Sequence, residues 1–333
     1  MTGLRIGSVC TGYGGLDIAV QAVFGGELAW VADNDPGAAR ILAHHHPSVP
    51  NLGDITTVDW HDVEPVDVYI GGYPCQPFST AGKRKGTNDA RHIWPFIARA
   101  LGVLRPRYAI FENVANHLRL GFDTVLVDLA DLGFDVEWCV VRADEVGAPH
   151  QRRRLIFLAT APDAPRPGLS GQGVRGRAAQ RGGAAADTAD LGHERGRGAR
   201  RGRPGPAHGR GTPADAARHG RGQGRPEPAW QQGRLDSVLG GAPDWGRYAP
   251  AITRWEAVTG RRAPWAADAR RRLNPAFVEW MMGLDPGHVT AVSGLSRTQQ
   301  LKALGNGVVP LQAAAALRLL LARAEPATWG RAA

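Results

Sequence analysis

Short apolar runs alternate with amphipathic runs through the first half of this 333-residue chain. The apolar runs predict buried strands at residues 4–9, 28–32, 66–70, 108–111, 136–141 and 155–159. The amphipathic runs predict helices at residues 16–24, 37–44, 93–104 and 122–132, and two more follow near 276–282 and 311–324. This alternation favours an α/β fold, with a doubly wound and mostly parallel sheet and helices on both faces. In such a fold, ligands bind at the carboxyl ends of the strands.

A basic, glycine-rich segment interrupts this pattern. Residues 162–235 contain 14 Arg against six Asp and Glu, so their net charge of +8 accounts for most of the +9 of the whole chain. They contain only five large apolar side chains, which is too few to offset the entropy of ordering the backbone. We predict that residues 161–235 form a disordered insertion and that the rest of the chain is nearly neutral.

Several classes of protein are excluded by simple counts. The chain has three cysteines, Cys10, Cys75 and Cys139, too few for a disulfide framework, and no Cys/His spacing indicates a zinc site. No apolar run approaches 18 residues and no signal peptide is visible, so we expect a cytoplasmic protein without a membrane span.

A glycine-rich turn, CTGYGG at residues 10–15, separates the first strand from the first helix. Such a turn lets the backbone approach a ligand, as in dinucleotide enzymes, but it also occurs as a plain tight turn. Asp33 follows the second strand, where a carboxylate can hold ribose hydroxyls or can cap the next helix. On these residues alone, both readings stay open.

The segment GGYPCQPFSTAGKRKG, residues 71–86, places Cys75 just after a buried strand. Pro74 and Pro77 stiffen the backbone on both sides of this cysteine. The polar, basic residues 79–86 suit a lid over a phosphate backbone, or equally an ordinary solvated loop.

Further blocks follow in order: ENV at 112–114, the pair Arg152 and Arg154, RLNPAFVEWMMG at 272–283 and GNGVVP at 305–310. With residues 10–17 and PCQPFS, this ordered set resembles the DNA (cytosine-5)-methyltransferase family over about residues 4–160 and 270–322. The resemblance implies the S-adenosylmethionine-dependent methyltransferase fold with a small target-recognition domain. It further implies S-adenosyl-L-methionine as cofactor, S-adenosyl-L-homocysteine as product, double-stranded DNA as substrate and no metal.

The resemblance also implies roles for four catalytic residues. The Cys75 thiolate attacks carbon 6 of a flipped-out cytosine, so that carbon 5 can take the methyl group. Glu112, on the loop after the 108–111 strand, contacts ring nitrogen 3 and the exocyclic amine. Arg152 and Arg154 alternate on a strand, both face the site, and orient the base and Glu112. His150 stands where the family usually has Gln.

Two further sets of residues are implied by position in the motifs. The expected cofactor-binding residues are Cys10, Thr11, Gly12, Tyr13, Gly14, Gly15, Asp33, Asn34, Asp54, Ile55, Pro74 and Asn306. The expected DNA contacts are Gln76, Ser79, Lys83, Arg84, Lys85 and Arg91. Because the family commonly has Phe at the position of Cys10, this chain offers the adenine a smaller packing surface.

The domain division follows from these assignments. We expect a catalytic and cofactor-binding domain at 1–160, the insertion at 161–235, a reduced target-recognition region at 236–271, and C-terminal motifs at 272–325 whose helix packs on the first domain. We expect a monomer, and a cognate restriction endonuclease is a candidate partner.

Three alternatives stay open at this point. The same motifs occur in enzymes that methylate a cytosine in transfer RNA. A catalytically idle nucleic-acid-binding relative would be expected to have lost one of the four catalytic residues, and a nicotinamide-dependent oxidoreductase would leave PCQPFS and ENV unexplained.

Overall fold

A computed structural model describes residues 3–74, 93–162 and 243–324 of the chain. Six strands form the centre of this described part. The strands are β1 (Arg5–Val9), β2 (Glu27–Ala32), β3 (Val68–Gly72), β4 (Tyr108–Val114), β5 (Asp135–Val141) and β6 (Arg154–Thr160). They form one sheet in the order β2-β1-β3-β4-β6-β5. The neighbours among the first four strands are parallel, whereas β6 is antiparallel to both β4 and β5. The predicted mostly parallel sheet is confirmed.

Eight α-helices accompany this sheet within the described residues. They are α1 (Gly15–Phe24), α2 (Pro36–His45), α3 (Trp94–Leu104), α4 (Phe122–Asp131), α5 (Ala249–Thr259), α6 (Pro275–Met281), α7 (Arg297–Asn306) and α8 (Pro310–Ala324). Local sequence explains several of their starts. Asp35 caps α2 by accepting from two backbone N–H groups, and Ser296 forms a capping box at the start of α7.

The helices cover both faces of the sheet, because alternate residues of each strand point to opposite sides. In β4, Ile110 joins one core with Leu16 of α1 and Leu317 of α8. The next residue, Phe111, joins a second core with Ile97 of α3. The α/β class with helices on both faces is therefore confirmed.

A third core lies in the C-terminal part of the described chain. Trp255 of α5 is fully buried there and donates from Nε1 to the Trp280 carbonyl at 2.8 Å, near Phe277. Trp255 is a core residue rather than an exposed base-stacking one. The predicted boundaries of the insertion and of the target-recognition region stay predictions, since residues 163–242 lie outside the described ranges.

The two C-terminal helices contain a long apolar stretch. Arg297–Arg323, which spans α7 and most of α8, is long and apolar enough to cross a membrane by length and composition. However, 56% of its most apolar window is buried inside the protein, where α8 packs against α1 and the sheet. Its hydropathy is that of a helix in the core.

The order of the strands locates the ligand-binding edge. From β1 the chain passes to β2 on one side, whereas β3 lies on the other side of β1. This reversal opens a crevice at the carboxyl ends of β1 and β3, the usual place for a ligand in a doubly wound sheet.

Candidate active site

A cavity of about 660 Å³ lies at this edge of the sheet. Its walls come from the loops that follow β1, β2 and β3, from the end of β4, from the start of β6 and from residues 302–308. Of the residues expected from the sequence, the cavity is lined by Cys10, Thr11, Gly12, Gly15, Asp33, Asn34, Asp54, Ile55, Pro74, Glu112, Arg154 and Asn306. Residues far apart in sequence, from both ends of the chain, are therefore brought together as the motif order predicts.

The glycine-rich turn forms the wall nearest β1. Gly12 has a φ of +61°, a conformation that suits glycine, and its N–H donates to Asp33 Oδ2 at 2.8 Å. The other oxygen of Asp33 accepts from the Asp35 N–H at 2.9 Å. Burial is the main influence on Asp33 and raises its pKa above the ordinary value, against these hydrogen bonds. Asp33 thus ties the turn after β1 to the loop after β2.

A second acidic residue, Asp54, lies on the same wall. It accepts from Asn34 Nδ2 at 3.0 Å and from the Thr56 hydroxyl at 2.8 Å. Hydrogen bonds from Thr56 hold its pKa below the ordinary value. Asp54 is therefore a half-buried, ionised carboxylate whose direction is set by its neighbours.

Cys10 is a cavity residue without thiol reactivity. Burial is the largest cause that raises its pKa to about 12, and the nearby carboxylates of Asp33 and Asp54 raise it further. A thiol with this pKa stays protonated near neutral pH. Cys10 therefore contributes shape to the cavity rather than a nucleophile.

Tyr13 and Gly14 do not line the cavity, in contrast to the sequence prediction. Tyr13 is 1% exposed, and its hydroxyl donates to the Val308 carbonyl at 2.5 Å. A Cβ on Gly307 would lie 1.9 Å from the Tyr13 ring, so only glycine allows this contact. Gly14 is the N-cap of α1. The ring of Tyr13 points away from the cavity because it holds the C-terminal GNGVVP segment against the first turn.

Glu112 and Arg154 form the opposite wall. The sequence analysis placed Glu112 on a loop, but β4 extends to Val114 and Glu112 lies within the strand, paired with Gly72 of β3. Its Oε1 lies 2.5 Å from Arg154 Nε. Burial raises the pKa of Glu112, while the charges of Arg154 and Arg152 act in the opposite direction. The carboxyl group can therefore hold a proton more readily than an exposed glutamate.

Arg152 differs from the expected arrangement. It precedes β6, has a φ of +27°, and does not alternate with Arg154 along a strand. Its Nη2 donates to the Gly305 carbonyl at 3.0 Å and also to that of Gly307. The reason is that the chain turns before Arg154, where β6 begins to pair with β4. Arg152 thus supports the wall formed by residues 305–307 and is not itself a lining residue.

Cys75 and the expected DNA contacts Gln76, Ser79, Lys83, Arg84, Lys85 and Arg91 lie outside the described residues. The two residues before Cys75 are described. Pro74 lines the cavity, and the Tyr73 hydroxyl lies 2.7 Å from His117 Nε2, whose Nδ1 contacts the Leu120 carbonyl at 2.8 Å. Because the Leu120 carbonyl can only accept, His117 carries its proton on Nδ1 and Tyr73 donates. This chain of hydrogen bonds holds the side chain of Tyr73, two positions before Cys75 in the sequence.

Three charged residues that line the cavity, Asp17, Asp35 and Lys302, were not among the residues predicted from the sequence. Asp17 lies in the first turn of α1 and is 2% exposed. Lys302 of α7 forms an ion pair with Asp35. The one sequence signal for Asp17 was an acidic residue two positions after the glycine-rich turn. No local pattern indicates Lys302, because its ion-pair partner Asp35 is more than 260 residues away in the sequence.

Comparison with known proteins agrees with this arrangement. The family model for C-5 cytosine-specific DNA methylase matches residues 4–173. Type II methyltransferase M.NgoBV of Neisseria gonorrhoeae is 32% identical over 160 residues, which cover 44% of this chain and 36% of the relative. Type II methyltransferase M1.ScrFI of Lactococcus lactis subsp. cremoris is 39% identical over 144 residues, which cover 42% of this chain and 35% of the relative. The matches therefore span a little over a third of the relatives' lengths.

Solved structures show the likeness of the fold over almost the whole chain. The S. pombe Dnmt2 methyltransferase superposes with a TM-score of 0.56 at 16% identity, over 97% of this chain and 99% of the other. The Entamoeba histolytica methyltransferase EhMeth gives a TM-score of 0.57 at 14% identity, over 98% and 100% of the two chains. Together with the family model, which covers half of the sequence, these observations show that the chain belongs to the C-5 cytosine-specific DNA methylase family.

Proposed function

We propose that this protein is a DNA (cytosine-5)-methyltransferase, which transfers a methyl group from S-adenosylmethionine to carbon 5 of cytosine in double-stranded DNA. The observation that carries the proposal is that Asp33 and Glu112 line one cavity. The family motifs assign Asp33 to the cofactor and Glu112 to the base. Methyl transfer needs both reactants in one place and in a fixed orientation.

The charge of the cavity fits this cofactor. Its acidic lining residues within the described ranges are Asp17, Asp33, Asp35, Asp54 and Glu112, and its basic ones are Arg154 and Lys302. An excess of carboxylates favours a ligand with net positive charge, and S-adenosylmethionine has one, because its sulfonium and ammonium groups outweigh its single carboxylate. A nicotinamide dinucleotide carries two phosphates, which these carboxylates would repel. The charge thus favours a methyltransferase over the oxidoreductase that the glycine-rich turn left open.

Asp33, Asn34 and Asp54 are the side chains that we expect to hold the adenosine part, with the backbone of Gly12 and Asn306 completing the pocket. When bound, S-adenosylmethionine supplies an electrophilic methyl group on its sulfonium sulfur. The chain's own residues have to make carbon 5 of the cytosine nucleophilic, because that carbon does not attack an electrophile unaided.

In the proposed reaction, the Cys75 thiolate adds to carbon 6 and forms a carbon–sulfur bond. The ring electrons displaced by this addition are stabilised by a proton that Glu112 donates to ring nitrogen 3, which its raised pKa favours. Carbon 5 then attacks the methyl group, and the electron pair of the breaking methyl–sulfur bond stays on sulfur. A water-derived base removes the proton from carbon 5, the bond to Cys75 breaks, the thiolate is regenerated and Glu112 recovers its proton.

The two arginines have different proposed roles. Arg154 orients the Glu112 carboxyl group, with Nε and Oε1 2.5 Å apart. Arg152 is a positioning residue, since its guanidinium binds the carbonyls of Gly305 and Gly307.

The partners and setting are part of the same proposal. A cytosine within a duplex is out of reach until it is flipped from the stack, so base flipping is required. Since M.NgoBV and M1.ScrFI are named as type II methyltransferases, we propose a restriction–modification role with a companion endonuclease. We also propose a monomer in the cytoplasm.

The test is transfer of label from tritiated S-adenosylmethionine to duplex DNA or to transfer RNA by the full chain. We expect label in DNA, no label with Cys75→Ser, and a rate reduced by about 10²- to 10⁴-fold with Glu112→Gln. Label confined to transfer RNA would assign the RNA substrate instead, and no label in either would overturn the proposal.

A second measurement tests the covalent step. Duplex DNA with 5-fluorocytosine at a methylated site should trap the chain as a stable adduct, because fluorine cannot leave as a proton does. The adduct should map to Cys75 by mass spectrometry and be absent with Cys75→Ser. Methylation of the normal duplex without any trapped adduct would refute Cys75 as the nucleophile.

A further inference from the structure

Asp17 is a buried carboxylate that the reaction described above does not use. It lies in the first turn of α1, directly after the glycine-rich turn, and it lines the cavity with an exposure of 2%. Neither carboxylate oxygen accepts a well-formed hydrogen bond from a described residue, although the Ser8 hydroxyl and the Asp17 N–H are near enough to stabilise its charge.

Among the described residues, none supplies a cation to this group. The basic lining residues within the described ranges are Arg154 and Lys302, and both already pair with other carboxylates, Glu112 and Asp35. Asp33 is the described charged residue that interacts electrostatically with Asp17, and it is also negatively charged. Burial is the main cause that raises the pKa of Asp17 to about 6. An unpaired buried carboxylate is costly to a folded protein, so its presence beside a ligand cavity calls for a partner.

We propose that Asp17 is the counter-charge for the ammonium group at the amino-acid end of S-adenosylmethionine, an inference that rests on the proposed function. Asp33 and Asp54 occupy the side of the cavity assigned to adenosine, and Glu112 occupies the side that faces the base. The remaining wall, formed by the start of α1 and by residues 305–308, carries Asp17. This wall is therefore the one that remains for the amino-acid end of the cofactor.

Pairing with a cation also changes the protonation of Asp17. Without ligand, Asp17 is partly protonated near pH 6, and an ammonium group beside it lowers its pKa. Binding therefore releases up to about half a proton per site at pH 6, and affinity falls by at most about tenfold per pH unit below this value. Asp33 also faces the site and has a raised pKa, so the contribution of Asp17 is the part of the pH dependence that disappears in Asp17→Asn.

The experiment compares two ligands by isothermal titration calorimetry on the full chain. S-adenosylmethionine has the ammonium group, whereas 5′-methylthioadenosine has the same nucleoside without the amino-acid part. We expect Asp17→Asn to weaken S-adenosylmethionine by about 10- to 100-fold, the effect of losing one charge-assisted hydrogen bond, and to leave 5′-methylthioadenosine within about twofold. Asp123→Asn is the control, because Asp123 is an exposed acid in the first turn of α4, which also has a glycine N-cap.

The outcomes separate this inference from the proposed function. If the wild-type chain binds S-adenosylmethionine and Asp17→Asn binds it equally well, or loses both ligands to the same extent, the role of Asp17 is refuted and the proposed function stands. If the wild-type chain does not bind S-adenosylmethionine at all, the proposed function fails as well.

Proton release gives a second test, which needs no variant. Titrations of the wild-type chain at pH 6 in two buffers of different ionisation enthalpy measure the released proton directly. Absence of proton release would refute the inference.

Discussion

Tyr13 and Tyr69 offer a test of what holds the two ends of the chain together. Both rings are buried, with exposures of 1% and 0%. The Tyr13 hydroxyl donates to the Val308 carbonyl at 2.5 Å, whereas the Tyr69 hydroxyl has no hydrogen-bond partner among the described residues. Replacing either tyrosine by phenylalanine removes one oxygen and keeps the ring, so the two variants differ chiefly in the hydrogen bond lost.

The expected changes have opposite signs. Tyr13→Phe leaves the Val308 carbonyl without this donor in a site that is 6% exposed, and an unsatisfied buried polar group costs about 1–3 kcal/mol. Tyr69→Phe removes a buried hydroxyl that is already unpaired, so the free energy of unfolding should rise by up to about 1–3 kcal/mol. Because Val308 lines the cavity, Tyr13→Phe should also weaken cofactor binding, and Tyr69→Phe should not.

The measurement is urea unfolding followed by tryptophan fluorescence, with both variants compared with the wild-type chain. An equal loss of stability in the two variants would show that the cost comes from repacking around the rings. An unchanged stability in Tyr13→Phe would show that the contact with Val308 contributes nothing, and the account of how the C-terminal segment is held would be wrong.

Three other perturbations follow from the same contacts. Gly307→Ala would place a Cβ 1.9 Å from the buried Tyr13 ring, so we expect a loss of at least about 1–3 kcal/mol and weaker cofactor binding, measured by urea unfolding and calorimetry. Lys302→Ala removes an ion pair whose lysine side chain is 60% exposed, so the free energy of unfolding should change by no more than about 1 kcal/mol. The pKa of Asp17 is raised to about 6, so the folded ligand-free chain binds protons more tightly than the unfolded chain and loses stability as pH rises from about 4 to 6. Unfolding curves over this range should show a loss of about 3 kcal/mol relative to Asp17→Asn, and parallel curves for the two proteins would refute the buried carboxylate.

Much of the fold could be predicted from local pattern because its strands are short and apolar. The run at 108–111 predicted β4, and the structure extends the strand by three residues to Val114. The extension was missed because Glu112 and Asn113 are polar, although both are buried. Their burial comes from the neighbouring strands and cannot be read from their own residue types.

The same limit applies to the arginine motif. The spacing of Arg152 and Arg154 predicted two side chains on one face of a strand, but the strand begins only at Arg154. Arg152 instead reaches carbonyl groups more than 150 residues later in the chain. Contacts of this kind depend on how distant segments pack, and no local periodicity indicates them.

Residues of the glycine-rich turn differ in what they contact, although the family resemblance assigned all of them to the cofactor. Gly12 and Gly15 line the cavity as expected, whereas Tyr13 between them turns into the protein and meets Gly307. The motif therefore serves two purposes: Gly12 and Gly15 form part of the cavity wall, and Tyr13 holds the C-terminal segment. A sequence motif alone does not separate these purposes, because both require the same tight turn.

Arg152 extends this coupling to the wall that contains Glu112, the proposed base-binding wall. Its guanidinium donates to the carbonyls of residues 305 and 307, and its positive charge partly opposes the burial that raises the pKa of Glu112. We therefore expect any change that loosens residues 305–308, Gly307→Ala included, to act directly on the proposed cofactor wall and, through Arg152, on the protonation of Glu112. Hydrogen bonds and charge therefore connect the two walls of the cavity, and residues from both halves of the chain form one site.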